Sequence, residues 1–272
     1  MFKRCLIKHY NECLLILLSN NMENTSWDRS PDLDLLKNEA ETGHEKQEKT
    51  SVDRLTELLF EKFPQLKDVQ VRRFVPEDDF DAGGFYDFEE IDGKVVPLIF
   101  ISEGDSELLR PLLEIRRASI QVNADLLGID VYSVTPQLLQ MFIIAHEFGH
   151  IKDYVGNYES NPILEGWAAV EEMDSHRQAV LYSLPIPNLN PTHLAGELDG
   201  MLSIKEVLIK YPDLKKHPKF ASIKSVADLL QIQEQEYRLS VPEKYADDFA
   251  AEFMRDNAAE LGIDDLFMQI AA

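Results

Sequence analysis

Thr135-Pro136-Gln137-Leu138-Leu139-Gln140-Met141-Phe142-Ile143-Ile144-Ala145-His146-Glu147-Phe148-Gly149-His150 is the stretch on which the reading of this chain turns. Thr135 offers a hydroxyl cap, and Pro136 needs no N–H in a first helical turn, so a helix starts here. The side chains that follow are apolar almost all round, which describes a buried helix. At roughly 100° per residue, His146 and His150 stand one turn apart on one face, with Glu147 beside them. Two imidazoles and a carboxylate in a buried helix are costly to desolvate unless they are paired or hold a cation. The HExxH spacing lets both rings reach one Zn²⁺ at about 2.0–2.1 Å and puts Glu147 within reach of a water on that ion. The competing reading is a pair of core histidines satisfied by their neighbours. Gly149 lowers helix propensity by about 1 kcal/mol relative to Ala, so a close approach by another element is expected there.

A catalytic zinc site has three protein ligands and one open position, so a third donor is needed. Glu243 is the first candidate. In Glu243-Lys244-Tyr245-Ala246-Asp247-Asp248-Phe249-Ala250, Glu243 and Asp247 share a helical face, and Ala246 and Ala250 are small enough for tight packing. Glu243 would bind the metal, and Asp247 would hold the far ring nitrogen of a ligating histidine. Ser240-Val241-Pro242-Glu243 also fits a capping box, in which Glu243 serves only the helix end. Glu165, in Leu164-Glu165-Gly166-Trp167-Ala168, is the alternative third ligand; it lies nearer His150 in the chain.

His146–His150 followed much later by Glu243-Lys244-Tyr245-Ala246-Asp247 resembles the gluzincin branch of the zincin metallopeptidases. Within that branch the pair of motifs is similar to CAAX prenyl protease-like peptidases and ImmA/IrrE-type peptidase domains. The resemblance covers residues 130–155 and 240–257. It implies a zincin-like α+β fold, with His146, His150 and Glu243 as Zn²⁺ ligands, Glu147 as general base and Asp247 behind a ligating histidine. It also implies a peptide or protein substrate. Glu165-Gly166-Trp167-Ala168 is similar to the third-ligand segment of aminopeptidase-like gluzincins, which keeps Glu165 open. The non-enzymatic alternative is a catalytically silent or regulatory zincin-like module that binds a protein partner. For the oxyanion donor, Tyr237, Arg238, Tyr245 and His176 are candidates.

The 272 residues carry a net charge of −22, with 44% hydrophobic and 28% charged residues. That is a globular composition, and its acidity argues against nucleic acid or an anionic membrane as partner. Cys5 and Cys13 are the two cysteines of the chain, so no disulfide framework is expected and a cytoplasmic location is favoured over secretion. The apolar run Cys13–Leu18 is too short for a membrane span. Residues 1–50 read as a flexible leader, or as upstream sequence with Met22 as the true start, and residues 51–272 as the metallopeptidase domain.

Within that domain, Leu55, Leu58, Leu59 and Phe63 form a helical stripe ended by Pro64. Strands are expected at Val69–Val75, Phe85–Ile91 and Lys94–Ser102, the last two turning at Asp92-Gly93. Pro97 suggests that Lys94–Ser102 is an edge strand, which by the zincin resemblance would align substrate beside the metal. Asp78-Asp79 and Gly83-Gly84 read as a loop. Helices are expected at about 106–127, 136–154, 163–183, 193–210, 222–238 and 242–259.

Overall fold

The computed structural model describes residues 50–74, 84–103, 106–110, 113, 116–161, 163, 165–183 and 203–268. The leader with Cys5, Cys13 and Met22, and the loop holding Asp78, Asp79 and Gly83, lie outside the described residues. The fold is mixed α+β: a three-stranded sheet and a larger set of helices.

Helix α1 (Ser51–Lys62) starts where Thr50 and Asp53 cap each other's backbone N–H, both at 3.2 Å. Its Leu55, Leu58 and Leu59 are buried, and Phe63 closes it before Pro64. Strands β1 (Gln70–Phe74), β2 (Gly84–Ile91) and β3 (Lys94–Ser102) follow. Asp92 and Gly93 have φ of 52° and 76°. Positive φ at both positions is the type I′ requirement, and it sets the β2–β3 hairpin in the expected register.

The sheet order is β1-β3-β2, so β3 is the central strand and the expectation of an edge position is corrected. Pairing explains how Pro97 is accommodated. β1 joins β3 in parallel only from Leu98 to Ser102, leaving Lys94–Pro97 paired to β2 alone. Counting from the Ile91–Lys94 pair beside the turn, Phe88 and Pro97 form a non-hydrogen-bonded pair. The proline nitrogen therefore points to the side that β1 has not yet reached, and no ladder bond is lost. The edge strands are β1 and β2, neither with a strand partner on its outer side among the described residues.

The helical body comprises α2 (Arg117–Leu127), α3 (Pro136–Tyr154), α4 (Trp167–Ser183), α5 (Ile204–Lys210), α6 (Val226–Arg238), α7 (Val241–Asp256), α8 (Ala258–Leu261) and α9 (Asp264–Met268). Of the expected 106–127 helix, Ser106–Leu109 form a 3₁₀ turn, Arg110 and Leu113 are helical, and Arg117–Leu127 form α2; residues 111, 112, 114 and 115 lie outside the described residues. Of the expected 193–210 helix, residues 193–202 lie outside the described residues. The main core joins α1, the sheet, α3 and α7 through residues such as Leu59, Ile99, Ile101, Phe142, Phe148, Ala250 and Met254. A second cluster of Ala169, Val170 and Met173 against Tyr154, Tyr86 and Phe88 seats α4 on β2 and the end of α3. Glu234 accepts hydrogen bonds from Ser119 at 2.6 Å and Arg116 at 3.1 Å, tying α6 to α2.

Candidate metal centre

The Thr135 hydroxyl accepts from Leu138 N at 3.1 Å, and α3 then runs buried along most of its length. His146 and His150 are 5% and 4% exposed. The close approach expected at Gly149 is made by α7: a Cβ there would lie 2.8 Å from the Ala246 Cα and 3.1 Å from its carbonyl oxygen. Those distances leave no room for a Cβ on α3 unless the helices shift, and they favour a small residue on α7. Glu243 and Asp247, one turn apart on α7, are thereby brought against the histidines.

The Ser240–Glu243 capping box does not form. Ser240 stands at the N-cap without a side-chain bond, and the Glu243 carboxylate turns inward. Nε2 of His146 and Nε2 of His150 are 3.0 Å apart, and Glu243 oxygens lie 3.4 Å from the first and 3.6 Å from the second. Donors bound about 2.0–2.1 Å from a tetrahedral ion stand roughly 3.3 Å from one another. The three buried donors thus have both the chemistry and the spacing to hold a metal ion. Glu165 is exposed and does not belong to this group.

Asp247, fully buried, places Oδ1 2.7 Å from His146 Nδ1, so that Nε2 is the ring nitrogen turned to the cluster. Burial opposes a charge on His146, yet Asp247 and Glu243 outweigh it and push its pKa up to about 9. Burial pulls His150 down to about 4 against the attraction of Glu243. Burial would raise Glu243, but His150, His146 and Arg177 hold it well below the usual carboxylate range. Glu147 is partly buried on α3; desolvation, opposed by His146 and reinforced by Glu243, pushes it up to about 7. A carboxyl poised there takes up and releases a proton near neutral pH.

Among the described residues, three side chains besides the histidines hold the Glu243 carboxylate. Tyr237 Oη donates to Oε1 at 2.8 Å, Arg177 Nη2 to Oε1 at 3.1 Å, and Arg238 Nη1 to Oε2 at 3.2 Å. Arg238 Nη2 also lies 3.1 Å from Asp247 Oδ1. Tyr237 and Arg238, read from the sequence as oxyanion candidates, are thus engaged with the acidic pair. Tyr245 accepts from Lys152 at 3.0 Å, and exposed His176 is bonded to Tyr158 at 2.9 Å and lies 3.3 Å from Glu172. Arg177 carries no signal in the sequence for this role. Nothing local marks it on a helix rich in charge, and it reaches Glu243 only because α4 packs on β2 and α3.

No protein-family model, curated protein or solved structure matches this chain. Among the described residues no helix is long and apolar enough to cross a membrane.

Proposed function

We propose that this chain is a zinc-dependent metallopeptidase with a zincin-like arrangement, hydrolysing peptide bonds of a peptide or protein substrate. The convergence of His146, His150 and Glu243 at 3.0, 3.4 and 3.6 Å carries the reading. Two imidazoles, neutral when they bind a metal, and one carboxylate suit Zn²⁺ better than Ca²⁺ or Mg²⁺, which prefer oxygen donors. Bound there, zinc would supply a water acidified to a pKa of about 7 and polarise the scissile carbonyl.

The protein's own groups do the rest. Asp247 and Arg238 keep the His146 ring and the Glu243 carboxylate oriented. Glu147 accepts a proton from the attacking water and passes it to the leaving amine nitrogen. The outer edge of β2, which has no strand partner among the described residues, would offer backbone groups to an extended substrate near the cluster, since Tyr86 on that strand lies against His150, with ring centroids 5.4 Å apart. On this reading the substrate rail is β2 and not β3.

The test is elemental analysis of the purified full chain together with cleavage of a diverse peptide pool. One zinc per chain is expected, with hydrolysis lost on chelation and restored by zinc. Glu147→Gln should retain the metal and lose at least about 100-fold in turnover. Zinc-loaded protein that cleaves nothing would overturn the peptidase reading and leave a metal-binding module.

A further inference from the structure

Of the three groups that hold Glu243, Arg177 differs from the others in position. Tyr237 is 7% exposed and donates to the carboxylate from its hydroxyl. The Arg238 side chain is 12% exposed and spans Glu243 and Asp247. The Arg177 side chain is 25% exposed, and its guanidinium carbon lies over the Tyr86 ring, 5.4 Å from its centroid. Arg177 thus touches both Tyr86 of β2 and the Glu243 carboxylate, and it is the most exposed of the three.

We infer that Arg177 is a catalytic residue: it donates a hydrogen bond to the carbonyl oxygen of the scissile peptide as negative charge develops there. This rests on the peptidase reading above. An oxygen that joins His146, His150 and Glu243 around one ion stands roughly 3.3 Å from each of them. Arg177 Nη2 is 3.1 Å from Glu243 Oε1, so the guanidinium and such an oxygen have Glu243 as a common neighbour, and an oxygen held on the Arg177 side of that carboxylate is within reach of its N–H groups. Guanidinium carries its N–H groups in a fixed fork, so one such side chain can bond more than one acceptor.

In the step itself, the water oxygen bonds to the carbonyl carbon and one water proton passes to Glu147. The C=O π pair moves onto the carbonyl oxygen, where Arg177 meets it. The C–N bond then breaks with its electron pair on nitrogen, which takes the proton from Glu147, and the C=O bond re-forms. Arg177 stays charged throughout, so its contribution is strongest when the oxygen is most negative.

The experiment compares wild type, Arg177→Gln and Arg177→Lys, each zinc-loaded, for metal content, kcat and KM. Affinity for a phosphinic peptide, whose tetrahedral oxygens imitate the attacked carbonyl, is measured in parallel. Arg177→Gln should keep its zinc, lose about 100- to 1000-fold in kcat with KM changed less than about threefold, and bind the phosphinic peptide correspondingly weakly. Arg177→Lys, keeping the charge but not the fork, should recover part of both. Loss of zinc from both variants would make Arg177 only a support for Glu243 and overturn the inference. Unchanged kcat and unchanged phosphinic affinity would overturn it as well, while leaving the peptidase reading intact. A wild type that neither cleaves peptides nor binds the phosphinic peptide would remove both.

Discussion

Gly149 of α3 and Ala246 of α7 meet backbone to backbone, so closely that a methyl group on Gly149 would stand 2.8 Å from the Ala246 Cα. This contact sets the distance across which Glu243 and Asp247 reach the two histidines. A helix-interior glycine that lowers local propensity is kept because the site needs the approach.

Gly149→Ala is therefore expected to destabilise the protein by about 1–3 kcal/mol, although alanine is the better helix former by about 1 kcal/mol. Metal content should fall with it, since a separation of α3 from α7 pulls Glu243 from the imidazoles. Denaturant unfolding of the two proteins checks this. A more stable variant would show that the helices yield at no cost.

Glu243→Ala should empty the metal site, because it removes a charged donor that Glu165 is not placed to replace. Glu165→Ala should leave metal content and stability within about 0.5 kcal/mol of wild type, as for an exposed side chain away from any special contact. Elemental analysis after dialysis distinguishes the two. Metal retained by Glu243→Ala and lost by Glu165→Ala would transfer the ligand role.

Zinc affinity should rise with pH through the neutral range. In the metal-free site Asp247 and Glu243 hold the His146 pKa at about 9, so at pH 7 a proton must leave for each zinc bound. The apparent affinity should climb about tenfold per pH unit from pH 7 towards 9 and level off above it. Chelator competition at several pH values measures the slope, and one proton released per zinc at pH 7 is the companion result in weakly and strongly ionising buffers. A flat profile would show that His146 is neutral in the empty site.

Glu147 should cost stability in the metal-free protein. Its folded pKa of about 7 lies above the ordinary value of 4.5, so the folded state holds the proton more tightly. The stabilisation is complete below about pH 4.5 and is lost as pH rises through 7. Glu147→Gln removes this loss, and the chelated variant should be more stable than chelated wild type by about 1–3 kcal/mol at pH 8, with the difference shrinking towards pH 4.5. Equal stabilities at pH 8 would show that the carboxylate is better solvated than its place on α3 implies.

Much of the local structure could be read from residue order. Thr135-Pro136 marks the start of α3, Asp92-Gly93 marks the hairpin, and HExxH puts two imidazoles on one face. Each of these is a relation within a few residues, governed by helical or turn geometry that the backbone imposes whatever surrounds it. The close approach at Gly149 was legible for the same reason, as a local departure from helix propensity. Its partner was not.

Tertiary packing decided the rest. Pro97 is locally a mark of an edge strand, yet β3 became central because β1 pairs only beyond the proline. Glu165 and Glu243 each had a claim on the third donor position; α7 packs on α3 at Gly149 and brings Glu243 into reach, while Glu165 is exposed. Arg177 acquires its place only through the seating of α4 against Tyr86 and Tyr154. Contacts of this kind depend on which distant surfaces bury each other, and that choice is shared over the whole core instead of being written in any one segment.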